Sequence, residues 1–357
     1  MGFRITLRPS GHQFDVPQGK SVLTAALDAG LNLPYSCRAG GCTTCRGRIL
    51  EGKIDHGRTH DIYLPPSEQA KGYALLCQAM PLSDLVVEAT ELVLHLAPPR
   101  LVPCRVKDIR KPVPDVAIVH LRTPYNDNML YAAGQYVDFL LEGGKRRSYS
   151  IATAPALEGG MMDIDLHIRH TPGGLFTDRV FAKLKVGEVL RFEGPLGTFY
   201  VREESAKPMI FLASGVGFGP IKAMIEYALR RKTPETRPMT LYWGCRARRD
   251  LYLIELPQKW AAETPGFAFV PVLSDALPED QWTGRTGFVH RAVMEDFPNL
   301  SGHQVYACGA PLMVDAARRD FTAQCGLPAD EFFADSFLTE AELTQGSARA
   351  TAQAADA

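Results

Sequence analysis

Tyr35-Ser36-Cys37-Arg38-Ala39-Gly40-Gly41-Cys42-Thr43-Thr44-Cys45 is the stretch that decides the first third of the chain. Its three cysteines are spaced by four and then two residues, and Cys77 follows after 31 more. A zinc site usually shows two C-x2-C pairs and a redox dithiol would not need Cys37 or Cys77; only one such pair is present. The spacing is instead the one by which four thiolates, three from a tight loop and one from elsewhere, hold a two-iron, two-sulfur (2Fe-2S) cluster. Gly40 and Gly41 let the backbone curl and aim amides at the sulfurs, which favours the more negative reduced state.

Outward from this loop, Phe3, Ile5 and Leu7 alternate with Arg4, Thr6 and Arg8, and Phe14 and Val16 continue the pattern, which predicts two strands. The same alternation overrides a formal myristoylation match at Gly2 and Thr6. Ser21 is placed to cap a helix carrying Val22, Leu23, Ala26 and Leu27, ended by Gly30. Gly19-Lys20-Ser21 resembles the end of a phosphate loop, but Phe14 stands where that motif needs its first glycine. His56 and His60 could meet on one helical turn, yet Gly57 lies between them and no acidic or cysteine partner is adjacent, so they read as surface residues.

Ala97-Pro98-Pro99 reads as a linker, since consecutive prolines stop both helix and central strand. The expected limits are 1–97 for the cluster domain, 98–205 for a second domain and 206–337 for a third, with 338–357 a disordered tail lacking a persistent apolar face. From Cys104 to Val201, short β segments separated by Pro and Gly predict an antiparallel barrel. Beyond Lys207-Pro208, apolar strands at 209–213, 240–243, 268–273 and 304–307 alternate with helical stretches such as 221–231, which predicts a parallel α/β domain.

Within the barrel, Arg147-Ser148-Tyr149-Ser150 supplies a guanidinium for a pyrophosphate, a ring for a planar heterocycle and hydroxyls for ring nitrogens. Alone it is an ordinary strand end. His167-Ile168-Arg169 and the glycine pair Gly173-Gly174 follow, with a helix predicted from Phe176 to Leu184 whose N-terminal amides suit a diphosphate. A plain turn would also use that glycine pair. In the last domain Ser214-Gly215-Val216-Gly217-Phe218-Gly219-Pro220 lies between a strand and a helix, where a dinucleotide pyrophosphate binds, although G-x-G-x-x-P is not the full fingerprint. Cys308-Gly309-Ala310-Pro311 follows another strand; buried cysteine alone would explain Cys308.

Composition narrows the function further. The 357 residues carry 39 Lys+Arg and 40 Asp+Glu, a net charge of -1, which gives no global field for a polyanion and argues against nucleic-acid binding. No apolar run reaches the ~18 residues a membrane span needs, and the N-terminus has no signal-like apolar region, so a cytoplasmic location without membrane insertion is expected. Eight cysteines in such a chain should be thiols, four of them clustered. Cys104, Cys245 and Cys325 receive no role.

Taken in order, these motifs resemble the ferredoxin-type flavoprotein reductases of the ferredoxin-NADP reductase superfamily, over residues 3–337. Besides Tyr35-Ser36-Cys37, the likeness rests on Gly134-Gln135-Tyr136, Arg146-Arg147-Ser148-Tyr149-Ser150-Ile151-Ala152, Gly194-Pro195-Leu196-Gly197-Thr198-Phe199, Thr283-Gly284-Arg285-Thr286-Gly287-Phe288-Val289-His290 and Tyr306-Ala307-Cys308-Gly309. It is strongest toward the CDP-6-deoxy-3,4-glucoseen reductase group and toward oxygenase reductase components.

The resemblance implies a β-grasp cluster domain, a FAD barrel and an α/β nicotinamide domain in an NAD(P)H-dependent oxidoreductase. NADH is expected rather than NADPH, although Arg246, Arg248 and Arg249 could grip a 2'-phosphate. It implies Cys37, Cys42, Cys45 and Cys77 as iron ligands, and Arg147, Ser148, Tyr149 and Ser150 along the flavin, with the Ser150 hydroxyl near N5. It implies His167, Ile168, Arg169, Gly174, Leu175, Phe176 and Thr177 around the flavin pyrophosphate. Gly215, Val216, Gly217, Pro220, Cys308, Gly309 and Pro311 fall at the nicotinamide nucleotide, Cys308 by the hydride-donating carbon, and Phe337 on the isoalloxazine.

Four residues depart from the family pattern. Thr43, Ser214 and Gly219 replace a usual Gly, Gly and Ala, and Val216 replaces a usual hydroxyl residue. The implied partner is an electron-accepting enzyme, a sugar dehydratase or an oxygenase component; a redox-switched sensor or scaffold is the reading from another class. Arg38, Arg46 and Arg48 around the cluster loop predict a basic docking face for an acidic partner.

Overall fold

The computed structural model describes residues 2–61, 63–92, 97–126 and 128–337. The tail expected at 338–357 lies outside them. The chain divides into two compact units, one formed by residues 1–95 with the chain end from Asp335 onward, the other by residues 96–334.

In the first unit, strands β1 (Gly2–Arg8), β2 (Gln13–Pro17), β3 (Arg46–Glu51), β5 (Tyr73–Leu75) and β7 (Leu85–Glu88) form one sheet in the order β2-β1-β7-β3-β5. β1 is parallel to β7 and antiparallel to β2. A short ribbon of β4 (Ile54–Asp55) and β6 (Met80–Pro81) and the one-turn helix α2 (Pro66–Gln69) lie outside this sheet. The alternation at 3–7 is a strand with Ile5 and Leu7 fully buried, as its period-2 pattern predicts.

Helix α1 (Val22–Asp28) begins at Ser21, whose Oγ accepts from the Thr24 amide at 3.3 Å. That settles the Gly19-Lys20-Ser21 stretch as a helix cap. Two further N-terminal amides of α1 are satisfied from outside the helix: Val22 donates to Ala79 O (3.0 Å) and Leu23 to Leu76 O (2.9 Å). The turn that carries Cys77 is thereby pinned to the start of the helix.

The second unit opens with an antiparallel sheet of β8 (Arg100–Val113), β9 (Val116–Arg122), β10 (Tyr136–Leu140), β11 (Arg146–Ser150), β12 (Asp163–Arg169) and β13 (Val189–Leu196). Its order is β11-β10-β13-β8-β9-β12, and an antiparallel bridge between Ile151 and Leu166 joins the two edges into a barrel. Val102, Val119, Phe139, Ile164, Leu166 and Phe192 fill it, and helix α3 (Leu175–Ala182) packs Phe176 and Val180 against that core.

The chain then alternates β14 (Met209–Ser214), α4 (Phe218–Arg230), β15 (Met239–Cys245), α5 (Glu255–Glu263), β16 (Phe267–Leu273), β17 (Arg285–Thr286), α6 (Val289–Asp296), β18 (Gln304–Gly309), α7 (Pro311–Gln324) and β19 (Phe332–Ser336). The sheet order is β17-β16-β15-β14-β18-β19, with β14 parallel to both β15 and β18. Successive strands run outward from β14 to one edge and the chain then returns to its other side, so the topological switch point lies between β14 and β18. In open α/β sheets, ligands bind at the carboxyl ends there.

At the opposite end of these strands a buried arginine ties the sheet together. Arg237 is 4% exposed, and it donates to Arg202 O at 3.0 Å, to Lys207 O and to Gln304 Oε1. Gln304 in turn donates to Glu331 at 2.6 Å, and the Tyr306 hydroxyl donates to Gln304 Oε1 at 2.8 Å. Replacing Arg237 with Met would take a donor from all three acceptors, of which Gln304 Oε1 keeps the Tyr306 hydroxyl. Urea unfolding of Arg237→Met is expected to show a loss of about 3 kcal/mol, and a loss below roughly 1 kcal/mol would remove the network from the account.

Candidate electron-transfer site

The cluster loop is built from residues in unusual backbone conformations. Arg38 (φ 52°), Gly40 (φ 82°) and Thr43 (φ 57°) all lie in the left-handed region. A Cβ on Gly40 would stand 2.9 Å from Gln78 Cγ. Thr43 therefore keeps the conformation of the usual glycine, and a β-branched residue holds it only because its surroundings over-determine it.

These turns bring backbone amides onto sulfur. Cys37 N–H donates to Cys42 Sγ and Ala39 N–H to Cys37 Sγ, both at 3.4 Å. The amides of Gly41, Thr44 and Gly40 serve Cys37, Cys42 and Cys77 in turn.

The four thiols come as two hydrogen-bonded pairs, Cys37 with Cys42 and Cys45 with Cys77. In each pair the mutual hydrogen bond pushes one thiol up, Cys37 and Cys45, and pulls the other down. Among the described residues no group of three or more His, Cys, Asp or Glu side chains is set for a single ion. Three thiols on one curled loop and a fourth from the turn after β5 suit two irons with two thiolates each, and the residues fit the 2Fe-2S group. Leu76 N–H bonds Cys45 O at 2.9 Å, which joins the fourth ligand's turn to the end of the loop. Sequence reasoning missed Gln78, although it directly follows the fourth cysteine.

In the barrel, the Tyr149 ring lies against Phe176 (5.2 Å between centroids) and Phe139 (6.0 Å), so β11 and the start of α3 meet through these aromatics. Burial pushes the Tyr149 hydroxyl up. Ser150 is buried, Arg147 half-buried, and the Ser148 hydroxyl donates to Asp138 at 2.5 Å. Helix α3 starts at Gly174 without a side-chain cap; Leu175 is exposed, and the Thr177 hydroxyl donates to Thr171 O at 2.8 Å. The uncapped start of α3 is of the kind that receives a diphosphate, and Arg147 donates from Nη1 to Arg146 O at 2.7 Å. Buried Gln135 holds the surrounding turns, donating to Gly197 O (2.9 Å) and accepting from Ala132 N–H (2.8 Å).

The residues 167–169 part company. Ile168 points into the barrel core. His167 Nδ1 shares a 2.8 Å hydrogen bond with the Tyr252 hydroxyl of the α/β domain. Arg169 leans toward the glycine loop: its Nη1 lies 3.1 Å from where a Cβ of Gly215 would stand, and it pairs with Asp115 at 3.2 Å.

At the switch point, the loops after β14 and β18 interlock. A Cβ on Gly217 would stand 2.2 Å from Cys308 O, and one on Gly309 would stand 2.2 Å from Ser214 Oγ, so neither position admits a side chain. Ser214, unusual at its place, accepts from Ala310 N–H at 2.9 Å and locks the two loops. Cys308 is fully buried, Pro220 is buried, Val216 is half-buried, and Pro311 opens α7.

Beside these loops lies a cleft of about 290 Å3 lined by Asp115, Arg169, Arg246, Arg249, Asp250 and Asp275. Arg248 is turned away, donating from its backbone and guanidinium to Asp280. Phe337, the last described residue, is half-buried in the unit that carries the cluster. Cys104 and Cys245 are buried and both pushed up to about 12 by burial, which leaves them inert thiols.

Comparison with known proteins agrees with this division. The chain matches the 2Fe-2S iron-sulfur cluster binding domain over residues 5–82, the oxidoreductase FAD-binding domain over 103–200 and the oxidoreductase NAD-binding domain over 211–319. It belongs to the iron-sulfur flavoprotein reductases, NAD(P)H-dependent electron-transfer enzymes with FAD and a 2Fe-2S cluster.

Within that family it is 39% identical to the CDP-6-deoxy-L-threo-D-glycero-4-hexulose-3-dehydrase reductase of Yersinia pseudotuberculosis serotype I (strain IP32953), across 95% of this chain and 99% of the relative. It is 35% identical to the phenol 2-monooxygenase reductase component DmpP of Pseudomonas sp. (strain CF600), across 98% of both. The crystal structure of the Amycolatopsis cytochrome P450 reductase GcoB superposes with a TM-score of 0.74 at 34% identity, covering 94% of this chain and 98% of that one.

The His167 contact carries a pH signature. Burial, then the charges of Lys222 and Arg110, pull His167 from its ordinary 6.5 down to about 3. Below pH 6.5 the unfolded chain takes up a proton that the folded one refuses. Stability is therefore level above 6.5 and lost as pH falls toward 3, by at most about 1.4 kcal/mol per pH unit. Urea unfolding at pH 7.5, 6 and 5 should show a shallower acid decline for His167→Gln than for the parent; equal slopes would contradict this origin.

Proposed function

We propose that this chain takes electrons from NADH and delivers them to a dehydratase acting on a CDP-hexose. When bound, FAD would supply the exchange between the two-electron chemistry of the nicotinamide and the one-electron chemistry of the 2Fe-2S cluster. The observation that carries the nicotinamide half is the interlock of Gly217 with Cys308 and of Ser214 with Ala310 beside Arg169, at the carboxyl ends of β14 and β18. Gly215, Val216, Gly217, Pro220, Gly309 and Pro311 shape the nucleotide's bed, and Arg169 faces its phosphates. Cys308 backs the nicotinamide.

Arg147, Ser148, Tyr149 and Ser150 orient the flavin ring, Gly174 to Thr177 receive its diphosphate, and Phe337 covers the ring. His167 and Ile168 act by holding β12 in place. Working domain limits are 1–97, 98–205 and 206–337. No described helix is long and apolar enough to cross a membrane, and eight cysteines without a disulfide among them suit the reducing cytoplasm.

The dehydratase is favoured by the full-length likeness at 39% identity. An oxygenase component is the second reading, favoured by the phenol monooxygenase reductase that matches over 98% of its length. Reconstituted NADH-driven turnover with a CDP-hexose dehydratase should exceed that with a Rieske or diiron oxygenase at least tenfold; the reverse order would transfer the assignment to the oxygenase. Docking uses a basic face: Arg46 lies over Tyr73 (3.9 Å) and shares Glu68 with Lys71, leaving this trio one positive charge, with Arg38 and Arg48 nearby in sequence. Turnover should fall as ionic strength rises.

The cleft favours NADH. Asp275, Asp250 and Asp115 stand among Arg169, Arg246 and Arg249, where carboxylates accept from ribose hydroxyls and repel a 2'-phosphate. Asp275→Asn is expected to raise the NADPH-to-NADH ratio of kcat/KM several-fold, and an unchanged ratio would remove Asp275 from cofactor choice.

A further inference from the structure

Gln78 occupies a position that no motif marks. It follows Cys77 in the turn after β5, its backbone amide donates to Leu75 O at 2.8 Å, and its side chain is half-buried under the cluster loop. The side-chain nitrogen lies 3.3 Å from Arg38 O and 3.8 Å from Cys77 Sγ. A carbonyl can only accept, so the group facing Arg38 O must be the NH2, which fixes the amide's orientation. One of its hydrogens holds the left-handed residue after the first ligand, and the other points at the sulfur of the fourth.

Gly40 completes the arrangement. Any side chain there would collide with Gln78 Cγ, as the 2.9 Å approach requires, so the bare backbone at Gly40 is what admits Gln78 to the sulfur. The other donors to these sulfurs are mostly backbone amides, which substitution cannot remove; the Gln78 amide is a donor that it can.

We propose that Gln78 is a positioning residue that tunes the reduction potential of the cluster by donating to Cys77 Sγ while its second N–H fastens the Arg38 end of the loop. A donor to a ligand sulfur stabilises the reduced state, which carries one more negative charge, and so raises the midpoint. Removing it makes the cluster a poorer acceptor from the flavin and a stronger donor to the partner. The proposal rests on the 2Fe-2S assignment, and a parent protein that shows no reduced-cluster EPR signal would fail that assignment before Gln78 is tested.

The test is an EPR-monitored redox titration of the full-length, cofactor-loaded chain as parent, Gln78→Met and Gln78→Glu, with iron and flavin content measured for each. Met keeps the volume without a donor; Glu keeps the shape and replaces the donor with an acceptor. At the parent's midpoint, the reduced-to-oxidised ratio of the Met variant should fall about tenfold, or ~59 mV for a one-electron couple, and that of the Glu variant at least as far. The flavin midpoints should stay put. If one variant loses its irons, the other decides. A midpoint equal to the parent's in a fully loaded variant, or loss of iron from both, overturns the tuning role; the latter would make Gln78 a structural residue only.

Discussion

Four cysteine sulfurs that must all become thiolates repel one another, and holding them within reach of two irons is the constraint from which the first unit is built. The backbone meets it by turning left-handed at Arg38, Gly40 and Thr43, so that consecutive amides face sulfur and offset the gathered negative charge. Such a loop is costly alone. It is held by anchors on both sides: Cys45 O accepts from Leu76 N–H, and the first amides of α1 donate to Leu76 O and Ala79 O, on either side of Cys77. The Ser21-capped helix and the cluster loop are thus parts of one device, although 16 positions separate Ser21 from Cys37 in the sequence.

The second unit answers a different constraint, the close approach of two loops at the end of a buried sheet. Met209 to Ala213 are buried on both faces, so the ligand-facing groups of this sheet lie at its ends. Gly217 and Gly309 allow the loops after β14 and β18 to touch backbone to backbone, and Ser214 fastens them. His167 and Arg169 extend the same contact from the barrel, one through Tyr252 and the other toward Gly215. Both contacts join the barrel to the α/β domain within the second unit.

Much of this was legible in the residues. Cysteine spacing gives the cluster, period-2 alternation gives β1 and β2, and apolar runs followed by glycine loops give the parallel sheet. Element ends moved by a few residues: α4 begins at Phe218 where periodicity suggested Ile221, because a 3-10 turn over Gly215–Gly217 leads into it. Side-chain destinations were less readable. Thr43 and Ser214 look like defects in their motifs, yet one keeps a glycine's backbone and the other makes a new hydrogen bond. Neighbours on one strand, such as His167, Ile168 and Arg169, point alternately, so a shared motif did not mean a shared ligand. Arg237 and Gln78 carry no pattern at all; their partners come from distant parts of the chain.

The most direct test of the account is an anaerobic NADH titration of the full-length, cofactor-loaded chain, followed by visible absorption and low-temperature EPR, in the parent and in Cys77→Ser. The account predicts flavin bleaching in both proteins and a rhombic EPR signal of a reduced 2Fe-2S cluster in the parent only. Bleaching without that signal in the parent, or an unaltered signal in Cys77→Ser, would contradict a 2Fe-2S cluster held by Cys77 together with Cys37, Cys42 and Cys45.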